Sequence, residues 1–142
     1  MADLSITVAE VQETPSAKKS DVTAGEAVTQ GEVVAGPISS KYYLCDADHT
    51  TSTYTQPAGI ALNAAEADQP LKIATQDDTF TVGTSAAVTP GEIYLPSRTA
   101  GGIMPVGDVT TTATQRISVL GIGIDSGTIK LKLQTSTIAK TS

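Results

Sequence analysis

Nowhere in this chain do apolar residues recur at the i, i+3, i+4 and i+7 spacing of a long amphipathic helix. Short runs rich in Thr, Ser, Val and Ile are instead punctuated by Gly and Pro, the pattern of strands joined by turns. The fold is therefore expected to be all-β, a small barrel or sandwich of short antiparallel strands. At 142 residues, a single domain buries roughly 70% of the surface it exposes when unfolded. The one cysteine, Cys45, has no internal partner for a disulfide, so core packing must hold the chain together.

Leu4, Ile6 and Val8 alternate with Ser5 and Thr7, after which residues 13–24 run polar through Pro15, Lys18 and Lys19. Residues 1–24 read as an extended N-terminal arm, ordered where it finds a sheet edge, and residues 25–142 as one β domain. Ala27-Val28 and Val33-Val34 are expected to form a hairpin about Gly31, whose freedom at positive φ suits a tight turn. Residues 41–45 predict a strand leading into the loop Asp46-Ala47-Asp48-His49, and Gly59-Ile60-Ala61-Leu62 predicts another. Asn63 and Glu66 have capping-box spacing, and Ala64, Ala65 and Ala67 favour one short helix stopped by Pro70. Leu71 with Ile73, then Phe80 with Val82, predict two half-buried strands joined at a solvated turn, Gln76-Asp77-Asp78.

Ala27-Val28-Thr29-Gln30-Gly31-Glu32-Val33-Val34 recurs as Ala87-Val88-Thr89-Pro90-Gly91-Glu92-Ile93-Tyr94, with five identities in eight at an offset of 87 − 27 = 60 residues. Gly59-Ile60-Ala61-Leu62 is echoed by Gly121-Ile122-Gly123-Ile124, and Leu71-Lys72-Ile73 by Leu131-Lys132-Leu133. The order implies an internal pseudo-repeat, two related halves closing into one barrel or sandwich. Residues 116–124 are apolar on both faces, with Ile117 and Val119 on one and Leu120, Ile122 and Ile124 on the other. Residues 42–45 and 60–62 behave likewise. A single-layer barrel has one interior, so the second face is expected to meet another subunit or the arm, in an oligomer. Leu4, Ile6, Val8, Leu120, Ile122 and Ile124 are the candidate partner-binding residues.

Residues suited to chemistry are few. His49, the only histidine, follows Cys45 by four residues beside Asp46 and Asp48, a set that zinc or a thiolate and imidazole pair would use. A thiol closing an apolar strand is, however, ordinarily buried and inert. Gly121-Ile122-Gly123-Ile124-Asp125-Ser126-Gly127 is one residue too long for a nucleotide-binding glycine loop, and no helix follows it. The pairs Asp46 with Asp48 and Asp77 with Asp78 lack the ligand spacing of a calcium loop. No catalytic residue, cofactor or metal is assigned. With 9 basic against 15 acidic residues, a net charge of −6, no Trp and one Phe, the chain lacks the footprint and stacking platform that nucleic acid requires. No run approaches the ~20 apolar residues that span a bilayer. The first residues carry no signal-peptide pattern, so no membrane partner is expected and synthesis is expected in the cytoplasm.

The ordered series Thr23-Ala24-Gly25-Glu26-Ala27-Val28-Thr29-Gln30-Gly31-Glu32-Val33, Lys41-Tyr42-Tyr43-Leu44, Gly59-Ile60-Ala61-Leu62-Asn63-Ala64-Ala65 and Gln69-Pro70-Leu71-Lys72-Ile73 resembles the small capsid cement or head decoration proteins of tailed bacteriophages. The likeness continues through Pro90-Gly91-Glu92-Ile93-Tyr94-Leu95, Ala100-Gly101-Gly102-Ile103-Met104-Pro105 and Val119-Leu120-Gly121-Ile122-Gly123, covering about residues 20–135. Ala67-Asp68 and Gln76-Asp77-Asp78 depart from it where glycine is the family pattern. The resemblance implies a β-barrel-like homotrimer on the virion's capsid surface, clasping adjacent major capsid subunits of an assembled icosahedral head, with no enzymatic activity. A receptor- or carbohydrate-binding module of a fibre or adhesin is the alternative from a different class, and an enzyme built on Cys45 and His49 is the third.

Overall fold

The computed structural model of the chain describes residues 3–49, 51–83, 86–108, 115–116, 118–134 and 139–140. Its strands are β1 (Lys18–Thr23), β2 (Val33–Ile38), β3 (Lys41–Leu44), β4 (Pro57–Ala61), β5 (Pro70–Thr81), β6 (Ile93–Pro96), β7 (Ile103–Pro105), β8 (Gln115–Arg116), β9 (Val119–Gly123), β10 (Thr128–Gln134) and β11 (Ala139–Lys140). Short 3-10 turns lie at Val8–Glu10, Ser52–Thr55 and Val106–Asp108. Nine strands make one curled antiparallel sheet, a half-barrel, in the order β3-β2-β4-β5-β10-β9-β6-β7, with β1 also on β5. β8 and β11 pair separately. The chain is all-β, as its patterning requires.

Alternation along the strands feeds two apolar clusters. Val33, Ala35, Ile60 and Ala74 enter the main interior with Phe80, Tyr94, Leu120, Ile129 and Leu131, where full burial of each large side chain contributes about 2 kcal/mol. Val34, Ala61, Leu71 and Ile73 point the other way and pack with Val28 and Ala65, joined by half-buried Tyr42 and Leu44. Both faces of this first half are thus covered within the chain. Of the two covers expected for the second face of residues 42–45 and 60–62, another subunit or the arm, Val22 and Ala24 at the end of the arm supply one by packing in this second cluster.

Local expectations change where long-range pairing wins. Residues 63–69 form no helix: Val28 and Ala65 exchange backbone hydrogen bonds of 2.8 and 2.9 Å, which fixes Ala65 as extended. The same bridge takes Val28 away from the expected hairpin with residues 33–34, and β2 pairs instead with β3 and β4. The two strands expected on either side of Asp77 are one, β5. Opposite β1 its pairing steps from Gln76 to Ala74 where its partner moves one residue, and opposite β10 from Phe80 to Asp77 where its partner moves two. Each step is a bulge that adds one residue, so Ala74, Asp77 and Phe80, three apart, are all buried.

The amino-terminal residues lie along the rest of the chain. Leu4 N–H donates to the Ile103 carbonyl at 2.8 Å, Gln12 and Thr81 exchange two bonds of 2.9 Å, and β1 pairs with β5. No strand forms at residues 4–8, because Val8–Glu10 closes a 3-10 turn. At one end of the half-barrel Val33 N–H donates to Gly101 C=O at 2.9 Å, Gly101 N–H to Cys45 C=O at 2.8 Å and Ala47 N–H to Ser97 C=O at 3.0 Å, tying β2 and β3 to the turn between β6 and β7.

The internal repeat is written in the backbone bonds. Gly31 N–H donates to Ala61 C=O and Ala61 N–H to Glu32 C=O, while Gly91 N–H donates to Gly123 C=O and Gly123 N–H to Glu92 C=O, all at 2.8 Å. Residues 31, 32 and 61 therefore correspond to 91, 92 and 123. Ala61 then pairs with Ile73 and Gly123 with Ile129, an offset of 129 − 73 = 56. The sequence echo of Leu71 in Leu131, at 60, is out of register by four. The main core also takes opposite faces of the two halves. Val33, Ile60 and Ala74 point into it, but their counterparts Ile93, Ile122 and Lys130 point out.

Candidate functional site

The six candidate partner-binding residues separate. Leu4 and Ile6 are half-buried against the main core, and Val8 is 43% exposed on the 3-10 turn. Leu120 is fully buried, so it belongs to the interior and presents nothing to a partner, a correction to its placement beside Ile122. The register explains it: the β9 pairing with β10 steps from Gly121 opposite Leu131 to Val119 opposite Gln134, and Leu120 lies inward at that irregularity. Ile122 and Ile124 are 47% and 42% exposed. Ile117, expected on the face of Val119, lies outside the described residues.

Two surface grooves gather four of them, Leu4, Ile6 and Val8 in one and Ile122 in the other. One, of about 370 Å³, runs beside the amino-terminal segment and is lined by Leu4, Ile6 and Val8 with Asp3 and Glu32. Asp3 accepts a short hydrogen bond from Ser97 Oγ, and Glu32 Oε1 accepts the Thr29 N–H at 2.7 Å across the Gly31 turn. The other, of about 320 Å³, lies on the outer face of β6, β9 and β10, where Ile93, Val119 and Ile122 stand beside Lys130 and Lys132. β9 lies close to its neighbours because Gly121 has no side chain; a Cβ there would stand 2.0 Å from the Lys130 carbonyl.

Cys45 and His49 are held in different settings. The thiol is fully buried in the main core, and burial, reinforced by Asp46, pushes its pKa up to about 12. A thiol so placed stays protonated and is a poor nucleophile. His49 stacks on Tyr54 with ring centroids 4.3 Å apart, and its Nδ1 accepts the Thr51 N–H at 2.9 Å. Tyr43 meets Tyr54 edge-on at 5.5 Å. Asp46, half-buried, is pushed up to about 6 by burial and by its hydrogen bond with Asp48. Among the described residues no three His, Cys, Asp or Glu side chains gather at metal-binding distance.

Asp125 shows what the glycine-rich stretch after β9 builds. Its Oδ1 accepts from Gly127 N–H at 2.9 Å, Thr128 N–H at 3.0 Å and Thr128 Oγ1 at 2.9 Å, the self-contained turn of a β9-to-β10 hairpin. Two features escape sequence reasoning. The ring cluster of Tyr43, His49 and Tyr54 has no periodic signal, being assembled by a 3-10 turn. Ile93 is exposed although its counterpart Val33 is buried, and the repeat is the signal that pairs them. No protein-family model and no curated protein matches this chain.

Proposed function

We propose that this protein is a head decoration protein of a tailed bacteriophage, acting from the virion surface by clasping neighbouring major capsid subunits as a homotrimer. The reading is carried by the ordered motif series over about residues 20–135. It is supported by an all-β chain whose exposed apolar residues Val8, Ile93 and Ile122 line surface grooves, a setting suited to protein surfaces. A ligand that binds the assembled lattice and not its separated subunits stabilises the lattice through mass action, and many weakly bound copies suffice. In the test, purified particles contain the chain in fixed ratio to the capsid protein, and heads lacking it disrupt at a lower temperature. Its absence from purified particles overturns the reading.

One observation favours the alternative of a carbohydrate-binding module. Tyr43, His49 and Tyr54 gather beside Asp46 and Asp48, and ring faces next to carboxylates are what a sugar subsite uses. Saturable binding on a glycan array, with no affinity for heads, would select that reading.

A further inference from the structure

The side of the sheet turned away from the main core is finished differently in the two halves of the chain. On β2, β4 and β5 it carries Val34, Ala61, Leu71 and Ile73, and Val28 and Ala65 pack with them. In the second half Val88, which the repeat sets against Val28, lies in the main core instead. The same side of β6, β9 and β10 is bare: Ile93 and Ile122 are 38% and 47% exposed. Register sets Ile93 beside Ile122 and Ile122 beside Lys130, a row about 10 Å long across three strands. Lys132 stands two residues along β10, about 7 Å from Lys130, and Val119 lines the same groove. The charge of this face runs against that of the chain, which is −6 overall. Lys19, Lys41 and Lys72 each pair with a carboxylate, at Glu13, Asp68 and Asp21. Among the described residues Lys130 and Lys132 have no such partner, and no acidic side chain lines their groove. Asp78, on the neighbouring strand β5, lines a separate groove with Lys18.

Given the capsid reading, on which this rests, we propose that the outer face of β6, β9 and β10 is the one that docks on the head, against a stretch of the major capsid subunit that carries carboxylates around an apolar side chain. Ile93 and Ile122 supply the apolar contact, while Lys130 and Lys132 select an acidic partner and fix its register. Lysines two apart on one face of a strand match carboxylates two apart on an extended segment, which present the same spacing. Pairing this face with its own copy would bring four ammonium groups together, so charge favours a different, acidic occupant.

The test is co-sedimentation of the purified full chain with heads that lack it, over a concentration series at low and at high salt. The wild type binds, and its affinity falls as salt rises. The double variant K130Q/K132Q weakens binding at low salt by about tenfold or more and flattens the salt dependence, whereas K130R/K132R keeps both. Ile122→Ser weakens binding at either salt concentration, because apolar contact is not screened. Circular dichroism and thermal melting confirm that the variants fold, as expected for exposed positions. A wild type that binds heads while the glutamine and serine variants bind equally well overturns the proposal and leaves the capsid reading standing. A wild type that binds no heads overturns both. The proposal also fails if the lysines govern binding to vesicles of anionic lipid to the same extent, or if either change shifts the mass of the free chain, which would place the face between copies.

Discussion

Asp46 sits where β3 gives way to the loop, beside Asp48, and its carboxyl is pushed up to about 6 from an ordinary 3.8, by burial first and the Asp48 hydrogen bond second. A group that holds its proton more tightly folded than unfolded favours the fold fully below its unfolded value. That contribution is lost as pH rises through the folded value. Stability owed to Asp46 therefore declines between pH 3.8 and about 6. Asp125 has the opposite sign: hydrogen bonds from Gly127 and Thr128 hold it below the usual carboxylate range, so its contribution appears as pH rises. Asp46→Asn flattens the decline in urea midpoints measured across that window, and an unchanged slope contradicts the assignment. Nothing local in Asp46-Ala47-Asp48-His49 separates a solvated turn from this half-buried pair; the difference comes from Tyr54, whose carbonyl accepts the Asp46 N–H at 2.9 Å.

The bulges of β5 are the element on which both clusters depend. Asp77, almost wholly buried, accepts Thr14 N–H at 2.8 Å, Thr14 Oγ1 at 2.6 Å and Thr79 N–H at 3.2 Å. Two of those donors come from 63 residues away, which is why Gln76-Asp77-Asp78 reads as a solvated turn when only its neighbours are considered. Asp77→Ala leaves the Thr14 donors without their acceptor and lowers the unfolding free energy by about 2 kcal/mol in urea titration. Strands without an extra residue of their own, such as residues 41–44, were readable because each side chain's face follows from its neighbour. Strands interrupted by bulges were not, since the extra residue is chosen by the partner strand.

At the scale of the molecule, the class of fold and the doubling of its first motif were legible, because β-branched runs and the Gly-Glu turn carry their own conformations. The inversion of faces between halves was not, since it shows only when the backbone bonds set Ile93 and Ile122 against Val33 and Ile60. The amino-terminal segment holds the largest stake in closure: Val11 is buried, Leu4 and Ile6 are half-buried, and all three touch the main core. Deleting residues 3–11 costs about 4 kcal/mol from lost apolar burial, seen as a lower melting temperature. A shift within error would show that the segment is dispensable to the fold. That segment and its continuation also guard the rims of the sheet, since Leu4 N–H occupies the Ile103 carbonyl on β7 and Gly25 N–H the Tyr42 carbonyl on β3. Each bond takes one acceptor from an edge strand, which shortens the run of free backbone open to templating, the route by which crowded β proteins convert to fibrils. The ends of the sheet thus present fewer free backbone groups than its strand count alone would give.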